Sequence, residues 1–83
     1  MPRKTMINEH ENVVLTEDVA DVGLAAGDIG TVVHVHKGGA GYEVETMTLA
    51  GETVAVVTLR PAQVRSIQPR DVAHVRELAA TGS

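Results

Sequence analysis

Eighty-three residues, 8.7 kDa in mass, make room for one small domain whose core must be thin. There is no cysteine, so disulfide staples and thiolate metal sites are excluded. Seven basic against eleven acidic residues leave a net charge of −4, and one tyrosine is the whole aromatic content, a composition that argues against a basic, base-stacking surface for nucleic acid.

Residues 1–10 are polar and without period, and read as a flexible lead-in. Their basic start lacks the apolar stretch of a signal peptide, and no run in the chain approaches the roughly 18 apolar residues of a membrane span. The expected setting is cytoplasmic, with no membrane contact. Residues 12–16, NVVLT, form a short β-branched run and predict the first strand. Residues 18–28 hold two glycines and three aspartates without strand alternation, and predict a long loop folded back and pinned by Val19, Val22 and Leu24.

Residues 29–36, IGTVVHVH, give the strongest strand signal. Strict alternation puts Ile29, Thr31, Val33 and Val35 on one face and Val32, His34 and His36 on the other. Gly30 within it marks a bulge or a close backbone approach. The glycine-rich residues 37–41 predict a hairpin turn. The returning strand from Tyr42 places Tyr42, Val44, Thr46 and Thr48 on one face, with Glu43, Glu45 and Met47 on the wetter one. Residues 53–59, TVAVVTL, read as a fourth strand buried on both faces. Pro61, Ala62 and Gln63 predict one 3₁₀ turn, and residues 64–67 a fifth strand. Pro69 and Asp71 suit the first turn of a helix over 69–81, with Val72, Val75, Leu78 and Ala79 as its apolar stripe and Gly82 as its stop. The fold class is mainly β: a small five-stranded SH3-like barrel over residues 11–68 with a C-terminal α-helix.

The segment 26–33, AGDIGTVV, resembles the start of a KOW motif. Together with Gly41-Tyr42-Glu43-Val44-Glu45, Gly51-Glu52-Thr53, Thr58-Leu59 and Val64-Arg65, it gives residues 12–67 the look of a small bacterial family of unknown function built on a KOW/SH3-like barrel. Similar strand orders occur in the photosystem I accessory subunit and the nitrile hydratase β-subunit, where the module docks on protein. The resemblance therefore implies a docking role and carries over no catalytic residue.

The chemistry-bearing residues are sparse. His34 and His36 share a face and are weak candidates for a metal; a closed site needs further ligands, which the sequence does not supply beyond Glu43 or Glu45. No metal, and no cofactor of any kind, is expected. Glu43 and Glu45 lack the cleft and aromatic platform that acid–base chemistry on a sugar requires. Ser66 and Ser83 sit on no nucleophile elbow, and the glycine loop lacks the Lys-Ser/Thr of a phosphate cradle. No catalytic residue is assigned. The expected function is non-enzymatic binding of another protein with a basic surface, in the manner of an antitoxin, immunity protein or regulatory subunit. Asp28, Glu43 and Glu45 would supply the charge, and Val72, Val75 and Leu78 an apolar stripe that also serves a homo-oligomer through the helix. The alternative is a KOW-like nucleic-acid contact through Lys37, Arg60 and Arg65.

Overall fold

The computed structural model describes residues 7–78. Five strands form one antiparallel sheet: β1 (Asn12–Leu15), β2 (Ile29–His36), β3 (Gly41–Met47), β4 (Thr53–Leu59) and β5 (Val64–Ser66). Their order across the sheet is β4-β3-β2-β1-β5. One 3₁₀ turn, Ala20–Val22, lies in the long β1–β2 loop, and another, Pro61–Gln63, joins β4 to β5. The loop folds back as the sequence predicts. Val19 bridges Leu24, Leu24 is buried, and Val19 and Val22 pack against the core.

The core lies on one face of the sheet. Val13 and Leu15 of β1, Val32 of β2, Tyr42 and Val44 of β3, Leu59 of β4 and Val64 of β5 are all buried there. Ile7 joins them, only 7% exposed. His10 N–H donates to the Val32 carbonyl, so the chain is already tied to the sheet within the stretch whose composition reads as a lead-in. On β3 the predicted alternation holds: Tyr42, Val44 and Thr46 are buried, while Glu43, Glu45 and Met47 face outward.

On β2 it does not hold throughout. The register with β3 shifts between Val32 and His34, leaving Val33 without an opposite residue. An inserted residue reverses the parity of everything beyond it. Gly30 and Val32 therefore face inward before the bulge and Val35 after it, while Ile29 and Val33 are exposed. Gly30 is the close approach and not the bulge: a Cβ there would collide with Val44 Cγ1 and sit 3.0 Å from the Glu45 carbonyl oxygen.

Three expectations need correction. The sheet does not close into a barrel. Among the described residues β4 pairs only with β3 and β5 only with β1. The sheet curls enough for a single 3₁₀ turn to carry the chain from one margin to the other. β5, at three residues, then uses its ladder on β1 and offers β4 none. Nor is β4 buried on both faces; as a margin strand it leaves Val56 55% exposed.

Among the described residues the C-terminal α-helix is also absent. Residues 71–78 carry no helix, and Ala79 and Gly82 lie outside the described residues. Val72 and Val75 are 83% and 80% exposed, and Leu78 is exposed as well. A helix this short is marginal without a buried stripe, and Val72 and Val75 of this stripe stay mostly in solvent. The route to a homo-oligomer through that helix lapses with it.

Candidate functional site

What holds residues 68–78 is a pair of ionic clamps of opposite polarity. Arg65 on β5 donates from Nη1 and Nη2 to the two carboxylate oxygens of Asp71, at 2.8 and 3.1 Å. Gln68 N–H donates to the same carboxylate at 2.6 Å, closing a tight turn where the helix was expected to start. Farther on, Arg76 donates from Nε and Nη2 to the two oxygens of Asp28, at 2.9 and 2.6 Å. Its Nη2 also reaches the Gly23 carbonyl. The planar guanidinium fork fits a carboxylate in just this bidentate way.

The electrostatics follow. The Arg76 hydrogen bond holds the Asp28 carboxyl below its ordinary 3.8, outweighing the upward push of partial burial, with help from the Ala25 N–H. Asp71 is lowered in the same sense by Arg65 and then by the Gln68 N–H. Both arginines move up in return, each chiefly through its hydrogen-bonded aspartate. Between the clamps the segment passes over an apolar cleft of about 370 Å³, bordered by Leu24, Ile29, Met47, Val54, Val75 and Leu78.

These contacts reassign several candidates. Asp28 is engaged by Arg76 and is not free to meet a basic partner. Arg65, proposed for nucleic acid, is engaged by Asp71. Arg60 caps the second 3₁₀ turn with Nη2 3.9 Å from Glu17, and Lys37 is exposed in the β2–β3 turn. The turn, the cap and the strand place these three cations on separate elements.

Glu43 and Glu45 do come together. They alternate on the outer face of β3, with Thr58 and Val56 of β4 opposite them on one side and His34 and Thr31 of β2 on the other. Glu45 accepts from Thr53 Oγ1 at 2.8 Å, and Glu43 lies 3.1 Å from His36 Nε2. The two imidazoles stand edge to face with centroids 4.7 Å apart, and His34 Nδ1 lies 3.6 Å from Glu9. Each histidine thus faces its own carboxylate. Among the described residues no cluster of three or more His, Asp or Glu side chains is arranged to hold a metal ion.

The sheet-forming residues are also the part of the chain that matches a known family. The chain belongs to the family described as a domain of unknown function, DUF4926. The DUF4926 match covers residues 9–66, from the turn before β1 to the end of β5. Asp28 and Arg65 lie within that span, and their partners Arg76 and Asp71 lie beyond it. No curated protein and no solved structure matches the chain. Among the described residues no helix is long and apolar enough to cross a membrane.

Sequence reasoning missed Arg76 and Asp71 as structural partners. Arg76 and Asp28 are 48 positions apart, and no local spacing connects them. The one available signal was the charge pattern itself, the pairs Arg70-Asp71 and Arg76-Glu77 on either side of residues 72–75, VAHV.

Proposed function

We propose that this domain is a non-enzymatic protein-binding module of the antitoxin, immunity or regulatory-subunit kind, working in the cytoplasm. It meets a basic partner surface through the outer face of β3 and β4. The observation that carries this reading is the strip made by Glu43 and Glu45 beside the exposed Val56. Two carboxylates at alternate positions present negative charge on a rigid strand, and the adjacent apolar side chain gives a partner something to desolvate. With Asp28 engaged by Arg76, the acidic contact narrows to these two glutamates. The nucleic-acid reading loses ground for the matching reason, since Arg65 is neutralised by Asp71 and Arg60 sits near Glu17.

The test is affinity capture from cells that carry the protein, with nuclease present, comparing the natural chain with Glu43→Gln/Glu45→Gln. That substitution keeps side-chain shape and removes charge. The expected result is one stoichiometric protein, identified by mass spectrometry and bound about tenfold more weakly by the variant. Equal capture by the variant, or a nucleic acid in place of the protein, refutes the reading.

A further inference from the structure

The two margins of the sheet are built differently. β5 is three residues long, carries Arg65, and is flanked by the segment that Asp71 ties to it. β4 has seven residues, Thr-Val-Ala-Val-Val-Thr-Leu, with no charge, proline or glycine. Soluble domains ordinarily blunt a margin strand with lysine, proline, a bulge or a short length, because unpaired N–H and C=O groups recruit another strand. β5 has such protection. On β4 the sole irregularity falls at the start, where the register shift leaves Val54 without an opposite residue. From Ala55 to Leu59 its pairing with β3 is regular, and among the described residues no strand lies against its outward side.

We propose that two copies of this chain pair β4 against β4, antiparallel, across a two-fold axis through Val57. Such an axis stands perpendicular to the sheet, so each face continues from one copy into the other. Val57 then lies opposite Val57 of the second copy, and Ala55 opposite its Leu59, on the core side. Val56 lies opposite Thr58 on the outer side. Ala55 and Val57, half-buried at the rim of one core, gain an apolar neighbour from the other.

Charge favours a second copy over a foreign strand. The chain carries −4, yet self-pairing here sets no like charges opposite one another, which is the usual penalty across a ladder. Glu43 and Glu45 stand one strand further in, so those of the two copies are three strand spacings apart, about 14 Å. That exceeds the Debye length of about 8 Å at physiological salt. A basic or acidic strand from elsewhere would find nothing along β4 to select it. A neutral, apolar strand is complementary to itself.

The experiment is sedimentation equilibrium on the full chain, beside the double variant Val56→Lys/Thr58→Lys. Each lysine faces a glutamate on β3, Val56 opposite Glu45 and Thr58 opposite Glu43, so the fold is supported. In the dimer, however, lysine would oppose lysine in both outer rows. The natural chain is expected at twice 8.7 kDa, with the variant folded by circular dichroism and associating at least about tenfold more weakly. A second readout uses the absence of cysteine: Val57→Cys should oxidise to a covalent dimer, and the fully exposed Leu49→Cys should not. A natural chain monomeric at about millimolar concentration, a variant that dimerises equally, or equal cross-linking at the two cysteine positions overturns the proposal. Should the lysine variant fail to fold, absence of the Val57→Cys cross-link overturns it alone.

Discussion

Arg76 grips Asp28 with both arms of its guanidinium, at 2.9 and 2.6 Å, across 48 positions of sequence. With the Arg65–Asp71 pair it fixes an apolar segment to the sheet by its charged residues, while Val72 and Val75 remain in solvent.

Removal of the Arg76 clamp is expected to free the segment and leave the sheet intact. In Arg76→Ala, amide hydrogen exchange over residues 72–78 should rise about tenfold, with the β2 and β3 amides unchanged. Local opening is expected because Val72 and Val75 stay mostly in solvent and bury too little apolar surface to hold the segment. Unchanged exchange in the segment contradicts this account.

Acid should have the same effect by protonating the two aspartates. Each has a folded-state pKa lowered from 3.8, so its unfolded state binds more protons between the two values. The stabilisation is complete above 3.8 and is lost as pH falls from there through the lowered folded values. The Arg76 side-chain resonances should therefore hold steady from pH 7 to about 5 and move toward free arginine only below 3.8. Release centred near pH 6 contradicts the assignment to aspartates.

Gly30→Ala should destabilise the sheet by about 1–3 kcal/mol, the range for forcing a methyl group into a filled core. The added Cβ meets Val44 Cγ1, the Glu45 carbonyl and Thr46 Cγ2 together, so β2 must move away from β3. A urea titration in which the midpoint does not shift refutes this.

Ile7 and Val75 offer a matched contrast. Ile7→Ala removes a core side chain and is expected to cost about 2–4 kcal/mol. Val75→Ser alters a residue in solvent and should stay within about 0.5 kcal/mol. A helix docked by its stripe would give Val75 the larger effect, so the same urea series decides between the two arrangements.

Strand positions, the pinned loop, the 3₁₀ turn at Pro61 and the outward glutamates of β3 were legible because each rests on local chemistry. Alternation, β-branching, glycine turns and the proline stop all act within a few residues. The family resemblance read over residues 12–67 nearly coincides with the family match over residues 9–66. The bulge at Val33 was not legible: IGTVVHVH alternates through it, and only pairing with β3 shows which residue has no opposite. The stripe of Val72, Val75 and Leu78 has helical spacing, but spacing states a preference and burial decides it. Whether a surface lies beneath that stripe, whether β4 meets β5, and whether Asp28 is free or held are properties of distant residues brought together. Long-range pairing and burial decide these points, and tertiary structure alone sets both.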